Sequence, residues 1–119
     1  DLGKVAVQVG DEFVAPSPEA AAKILEVSPR VEGAADVDMS VELDYNTDEA
    51  GVYPIVMASY LLACQSYEDA NTAELVKGYL SYVVSAEGQK TAADNAGSAP
   101  LSATLSEQAT SIVSAISSK

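Results

Sequence analysis

The sequence contains no histidine and a single cysteine, Cys64. Without histidine, the chain lacks the side chain that most often acts as a general base or metal ligand near neutral pH. One cysteine cannot form a disulfide within the chain. Because Cys64 lies in an apolar stretch and has no histidine to activate it, we expect a small buried hydrophobic side chain and not a nucleophile.

Basic residues are also scarce, since 6 lysines and arginines stand against 18 aspartates and glutamates, for a net charge of −12. Binding to nucleic acid or to an anionic membrane surface depends on clustered positive charge, so both are disfavoured. An acidic surface is compatible with an exported protein and also with solubility alone. The 119 residues, 48% of them hydrophobic, have ordinary globular composition and suffice for one domain with a modest core.

Catalytic and phosphate-loop motifs are missing too: the sequence has no GxGxxG, GxxxxGK(S/T), GxSxG or CxxC. Carboxylates are plentiful, but none lies in an apolar setting that would clearly shift its pKa. Asp36 and Asp38 begin like a calcium loop, yet the required glycine and closing glutamate do not follow at the right spacing. We therefore predict no catalytic residue, no metal site and no cofactor, and interpret residues 30–50 as a solvated loop or edge strand.

Residues 51–64 form a long run without a charged residue. The run is too short to cross a membrane, which takes about 20 apolar residues. Its β-branched and aromatic residues predict a strand buried on both faces. Pro54 cannot donate a ladder hydrogen bond, so it should lie at the start of the strand or at a crossing between layers. Since helix-like segments follow, this run is expected to join two structural regions.

Upstream of this run, local patterns predict two strands and a helix. Residues 4–9 should form a short strand that ends in a turn, and residues 13–16 should be extended before a proline. Ser17 can cap a helix that has proline at its first position, and this helix should stop near Ser28. Residues 39–45 alternate between apolar and polar, which predicts a half-exposed strand.

Downstream of the run, three helices are predicted. Asn71 and Glu74 have capping-box spacing, a short helix over residues 89–93 should end before Gly97, and Ser102 should start the third helix. The C-terminal residues are expected to fray. Four tyrosines could line a pocket, although their spacing is more typical of core or rim positions: Tyr53, Tyr60, Tyr79 and Tyr82. The apolar faces of the first and third helices are predicted at Leu75, Val76, Tyr79, Leu80, Val83 and Val84, and at Leu105, Ala109, Ile112 and Ile116.

Several short motifs occur in an order that can be compared with that of known families. Tyr53-Pro54-Ile55 is followed by a strand-like and a helix-like segment, by Ser-x-x-Gly-Gln at residues 85–89, and by Ala-Pro-Leu at residues 99–101. The upstream residues 13–17 fit the same order. The sequence thus resembles the C-terminal part of phosphate-specific ABC transporter substrate-binding proteins, over nearly its whole length and most densely at residues 51–101.

The resemblance implies an α/β chain that is part of a two-lobed periplasmic-binding-protein-like fold, with short strands and about four helices. Residues 1–50 would end the second lobe with a strand, a helix and an acidic loop. Residues 51–119 would form a crossover strand and helices that return to the first lobe, with Tyr53 and Pro54 as the hinge. Members of the family are nearly three times as long, so this chain would be their final third and would need the missing N-terminal portion.

The same resemblance implies a function outside the cytoplasm, in the periplasm or at the cell surface, with a lipid anchor at the absent N-terminus. Such proteins close on inorganic phosphate and deliver it to an ABC permease in the membrane. Their phosphate ligands lie upstream of the matching region, so no ligand-binding residue is assigned here. Arg30, the only arginine, suits phosphate chemically but follows Ser28-Pro29 in a helix-exit loop and is not assigned.

Other functions stay open at this point. The chain could be an acidic surface domain that binds a protein partner, or part of a related solute-binding protein for another oxyanion. An enzyme acting on phosphate esters is a further alternative, but the sequence offers no base or metal cluster to support it.

Overall fold

Two compact units divide the chain, the first spanning Asp1–Ser59 and the second Tyr60–Lys119. The computed structural model describes residues 3–119, and over these residues it has four helices and four short strands, which confirms the expected mixed α/β class. The predicted lobe boundary between residues 50 and 51 stays a prediction. In chain order the elements are β1 (Val7–Val9), β2 (Glu12–Val14), α1 (Pro18–Val27), β3 (Ser66–Tyr67), α2 (Ala70–Val84), α3 (Ala86–Ala96), α4 (Ala103–Ser114) and β4 (Ser117–Ser118).

A hairpin and one helix form the core of the first unit. Strands β1 and β2 pair antiparallel, and Gly10 takes a left-handed φ of +56° in the turn between them, a conformation that favours glycine. Val9 and Val14 are buried in a cluster with Ala20 of α1. Strand β1 is shorter than the predicted strand over residues 4–9, because β2 offers only a short stretch of partner backbone.

Helix α1 begins and ends where the local sequence predicts. The Ser17 hydroxyl accepts a hydrogen bond from the Ala20 N–H at 3.1 Å, and the helix begins with proline, whose missing N–H costs nothing there. At the other end, the buried Ser28 hydroxyl donates to the Ile24 carbonyl at 2.6 Å and accepts from the Asp44 N–H at 3.0 Å. Ser28 therefore both ends the helix and ties the acidic segment to it.

The strand predicted over residues 39–45 is wrong, because this stretch pairs only through an isolated bridge between Arg30 and Val41. Aspartates close local turns instead: the Asp38 carboxylate accepts from the Ser40 N–H at 2.9 Å, and the Asp44 carboxylate accepts from the Asn46 N–H at 3.1 Å. Such side-chain bonds compete with a strand ladder. The backbone hydrogen bond from Ser40, followed by its side-chain hydrogen bond, lowers the pKa of Asp38.

The buried strand predicted within residues 51–64 is also wrong. Residues 55–63 form neither helix nor strand, and their side chains are largely exposed, with Met57 at 93% and Leu62 at 97%. Cys64 is exposed as well, contrary to the expected burial. The composition of the run favours a strand, but the described residues provide no neighbouring strand for residues 55–63 to pair with.

In the second unit, the predicted N-cap of the first helix is wrong. Helix α2 starts at Ala70, because Asp69 is the cap and not Asn71. The Asp69 carboxylate accepts from the Thr72 hydroxyl at 2.7 Å and from the Thr72 N–H at 2.8 Å. These bonds, the side-chain bond first, lower the pKa of Asp69 and favour its ionised form at the positive end of the helix dipole.

Helix α2 packs on α4 through one face only. Leu80 is buried in a cluster with Val113 and Ile116, and Tyr67 and Val76 pack against this cluster. The wider face predicted for α2 is wrong in part, because the Leu75 and Tyr79 side chains are 75% and 60% exposed. The sequence places apolar residues on both sides of α2, and its pattern cannot tell which side the neighbouring helices take.

The remaining helices follow their terminal signals. Helix α3 is longer than the predicted residues 89–93 but ends before Gly97, which has φ +67° at the helix C-terminus. Helix α4 begins after Ser102, whose hydroxyl accepts from the Leu105 N–H. In the predicted stripe of α4, Ala109 and Ile116 are buried, and Val113 is more buried than Ile112.

The C-terminal residues were expected to fray, but in the structure they are paired. Strand β4 runs parallel to β3, with Ser66 opposite Ser117. The Ser117 N–H donates to the Gln65 carbonyl at 3.0 Å, and the Lys119 N–H donates to the Tyr67 carbonyl at 2.9 Å. In addition, the Lys77 ammonium on α2 donates to the Ser114 carbonyl at 2.6 Å, which stabilises the C-terminal end of α4.

Replacing Leu80 with alanine should lower the free energy of unfolding of the 119-residue chain by about 2–5 kcal/mol, because a buried side chain would leave a cavity against α4. Leu75→Ala is the matched control on the opposite side of α2, and should change this free energy by no more than about 0.5 kcal/mol. Urea unfolding followed by circular dichroism measures both. Equal losses in the two variants would mean that α2 packs through a different face.

Candidate functional site

The two predicted hinge residues, Tyr53 and Pro54, pack against the core of the first unit. The Tyr53 N–H donates to the Ala20 carbonyl at 3.0 Å, and the Tyr53 ring packs, half-buried, on the cluster that Val9 and Val14 form with Ala20. Val52 before them is fully buried, and Pro54 is buried too. The structure therefore places Tyr53 and Pro54 where a chain anchored to α1 leads into residues 55–63.

A tight turn leads into this anchored stretch. Gly51 has φ +73°, and a Cβ at this position would lie 3.0 Å from the Lys23 ammonium nitrogen of α1. The Val52 N–H donates back to the Glu49 carbonyl at 3.3 Å. A left-handed residue here reverses the chain and directs Val52 into the interior, and glycine adopts this conformation without strain.

Arg30, which the sequence left unassigned, closes the acidic loop. One guanidinium nitrogen, Nη2, donates to the Ala35 carbonyl at 2.8 Å and to the Asp38 carbonyl at 2.6 Å. A backbone bond closes the base of the same loop, from the Val31 N–H to the Ser40 carbonyl at 3.1 Å. The guanidinium thus lies among loop carbonyls, where it orders a segment rich in negative charge.

The motif at residues 85–89 forms a sharp corner between α2 and α3. The Ser85 hydroxyl donates to the Tyr82 carbonyl at 2.7 Å and accepts from the Gly88 N–H at 3.1 Å. Gly88 approaches the last turn of α2 so closely that a Cβ there would lie 2.0 Å from the Tyr82 carbonyl oxygen. The serine and the glycine of the motif are therefore both required by the backbone path.

Gln89 completes this corner by joining three parts of the second unit. Its side-chain amide nitrogen donates to the Val83 carbonyl at 2.8 Å, and its amide oxygen accepts from the Leu101 N–H at 2.8 Å. Nearby, the Ser106 hydroxyl of α4 donates to the Val84 carbonyl at 2.9 Å. Sequence reasoning did not assign Gln89 a role. The sequence signal that could have indicated this joining role is a glutamine directly after glycine in the first turn of a helix, followed by a loop that contains proline.

At the N-terminus of each helix, a cap side chain accepts a hydrogen bond from a backbone N–H that could otherwise donate to an anion. Each helix uses its own cap side chain, a serine hydroxyl at α1, α3 and α4 and the Asp69 carboxylate at α2. A carboxylate at a helix start repels the anions that the helix dipole would otherwise attract. Across residues 3–119, no three acidic or cysteine side chains converge in a way that could hold a metal ion.

Replacing Gly88 with alanine should lower the free energy of unfolding by about 1–3 kcal/mol or more, since the new Cβ would overlap backbone atoms that cannot move aside freely. Gly78→Ala is the control in the neighbouring helix α2, where a Cβ would meet no other group within 4 Å. This change should stabilise the chain by about 0.5–1 kcal/mol, because alanine restricts the unfolded chain and favours the helix. Thermal unfolding measures both effects, and a stable Gly88→Ala variant would contradict the tight corner.

Comparison with known proteins finds similarity to mycobacterial phosphate-binding proteins. Over 117 residues the chain is 26% identical to phosphate-binding protein PstS2 of Mycobacterium bovis (strain BCG / Pasteur 1173P2) and equally to phosphate-binding protein PstS 2 of Mycobacterium tuberculosis. Phosphate-binding protein PstS 3 of Mycobacterium leprae is 27% identical over 95 residues, or 80% of this chain. No family model and no solved structure matches the chain significantly.

These matches cover nearly all of this chain but only a part of each relative. The 117-residue match covers 98% of this chain but 31% of each relative, so the chain spans less than a third of their length. None of the helices in residues 3–119 is long and apolar enough to cross a membrane. The mixed α/β architecture is consistent with a part of a periplasmic-binding-protein-like fold, and the similarity, though distant, supports the family resemblance drawn from the sequence motifs.

Proposed function

We propose that this chain is the C-terminal segment of an extracytoplasmic phosphate-binding protein that delivers inorganic phosphate to an ABC permease in the membrane. The observation that carries the proposal is the similarity to phosphate-binding proteins, which extends over 98% of the chain. The order of motifs at residues 53–55, 85–89 and 99–101 supports it. The role is binding and transfer, without covalent chemistry.

The phosphate ligands of such a protein would come mainly from sequence outside these 119 residues. An anion site needs several donors that converge on one point. Here the hydroxyls of Ser17, Ser85 and Ser102 cap their own helices, and the Arg30 guanidinium donates to loop carbonyls. A net charge of −12 adds an unfavourable background field, although salt screens it beyond about 8–10 Å.

In this proposal, Tyr53 and Pro54 are the hinge between the two lobes. A hinge consists of a few residues that absorb backbone rotation next to rigid elements. The hydrogen bond from Tyr53 to α1 and the burial of Pro54 provide such a fixed point.

Calorimetric titration with inorganic phosphate tests the function. The longer protein that carries this sequence should bind phosphate saturably, whereas the isolated 119-residue chain should give no binding in the micromolar range, because it lacks most of the donors. Absence of heat with phosphate in the longer protein, together with a response to sulfate or to an organic solute, would contradict the assignment of phosphate. Micromolar binding by the isolated chain would show that a complete site lies within it.

Replacing Pro54 with alanine tests the hinge in the longer protein. The change should alter phosphate affinity and the extent of closure together, since it loosens the anchor without touching a ligand. Small-angle scattering with and without phosphate measures closure, and calorimetry measures affinity. Pro29→Ala, at an exposed proline in the acidic loop region, is the control and should alter neither. If Pro54→Ala also leaves both unchanged, these residues are not the hinge.

A further inference from the structure

Residues 44–53 return from the C-terminal end of helix α1 to its first turn and are called here the strap. At one end, the Asp44 N–H donates to the Ser28 hydroxyl at 3.0 Å. At the other end, the Tyr53 N–H donates to the Ala20 carbonyl at 3.0 Å. Ser28 directly follows the last turn of α1, and Ala20 lies in its first turn. The strap is therefore fastened near both ends of a single helix.

The two attachment points are much closer together than the strap is long. They are about 12 Å apart along the axis of α1, at about 1.5 Å per residue. An extended chain of the strap's length could reach about 30 Å. Local turns take up the difference, since the Thr47 N–H donates to the Asp44 carbonyl at 3.3 Å and the Val52 N–H donates to the Glu49 carbonyl at 3.3 Å. Because the length of the chain leaves the strap slack, its position depends on its bonds.

The middle of the strap lies against the turn of the hairpin. A Cβ at Gly10 would lie 3.0 Å from the Asp48 carbonyl oxygen, which is closer than most side-chain carbon atoms come to another group. Glycine has no Cβ, so it permits this close approach. The hairpin thus gives the strap a third contact between its two ends.

The bond at the far end of the strap is made by a buried hydroxyl. Ser28 is 7% exposed, and no other polar residue within residues 3–119 is buried to this degree. Its hydroxyl donates to the Ile24 carbonyl at 2.6 Å and accepts from the Asp44 N–H. Alanine in place of Ser28 would leave the Asp44 N–H without this partner at a partly buried site, and an unpaired donor there is costly. The attachment therefore depends on one specific hydroxyl group.

We propose that the strap sets the position of the hinge at Tyr53 and Pro54, and that Ser28 is the positioning residue at its far end. The inference rests on the proposed function, in which Tyr53 and Pro54 are the hinge between the two lobes. Because the strap is slack, release of Asp44 from Ser28 would let its turns open and would loosen the chain that enters the hinge. Ser28 acts through the strap and not through contact with a ligand.

Amide hydrogen exchange in the 119-residue chain tests the coupling between the two ends of the strap. Ser28→Ala should speed exchange of the Asp44 amide by about tenfold or more, and that of the Tyr53 amide by about threefold or more. Ser106→Ala is the matched control, because it removes a serine hydroxyl bond in the second unit and should leave both amides within about twofold of wild type. An unchanged Tyr53 amide in Ser28→Ala would overturn the inference, since the two ends would then be independent.

A second pair of variants reaches the strap from the hairpin. Gly10→Ala and Gly33→Ala both place a side chain at a left-handed position, with φ +56° and +77°, so both carry a similar backbone strain. Only the Cβ at position 10 would meet the strap, because nothing lies within 4 Å of a Cβ at position 33. Gly10→Ala should therefore speed exchange of the Tyr53 amide, and Gly33→Ala should not. Equal effects of the two variants would contradict the role of the strap.

Titration of the longer protein with inorganic phosphate separates a positioning role from general stability. Ser28→Ala should change the dissociation constant by about fivefold or more, whereas Ser106→Ala should lower the melting temperature and leave the constant within about twofold. A Ser28→Ala variant with a lower melting temperature but unchanged affinity would overturn the positioning role. If the wild-type longer protein ignores phosphate, the proposed function fails, and the exchange comparison still decides whether the strap couples its two ends, because that comparison needs no ligand.

Discussion

The hydrogen bond from the Tyr53 N–H to the Ala20 carbonyl determines where the ordered core of the first unit ends. It joins the chain to helix α1 beside the buried Val52, so that Gly51 must reverse the chain and Pro54 must follow into the interior. Proline has no N–H, so it cannot extend the pairing that Tyr53 begins. Beyond Pro54 the backbone leaves α1, and its apolar side chains turn outward.

The second unit depends on a different constraint, the close approach of α3 to the end of α2. Gly88 allows this approach, and Gln89 secures it through bonds to Val83 and Leu101. With the corner fixed, α4 can return along α2 and bury Leu80. The terminal strand pair and the Lys77 ammonium then hold the far end of α4. A small core is thus completed by polar contacts at specific backbone positions, which a chain of this size needs because it buries little apolar area.

The sequence predicted those features that depend on a few neighbouring residues. Ser17 with its following proline, Ser102 and Gly97 each act within one turn of a helix, so their local chemistry is sufficient. Residues 55–63 show the opposite case: their composition favours a strand, but a strand needs a neighbour to pair with, and the described residues provide none. Helix α2 has the same ambiguity, since Leu75 and Leu80 look alike in sequence and only packing separates them. For the candidate hinge, the motif located Tyr53 and Pro54, whereas the bond to Ala20 required coordinates.

The motif at residues 85–89 has a structural role within the second unit. In residues 85–101 the serine, glycine and glutamine of the motif hold helices together, and their polar groups already have partners within the chain. Groups used in this way stabilise the corner whether or not a ligand is bound. Recognition of one oxyanion over another depends on donors and acceptors that match its protonation state and geometry. The corner at residues 85–89 supplies none of them, because its serine and glutamine side chains are used within the chain.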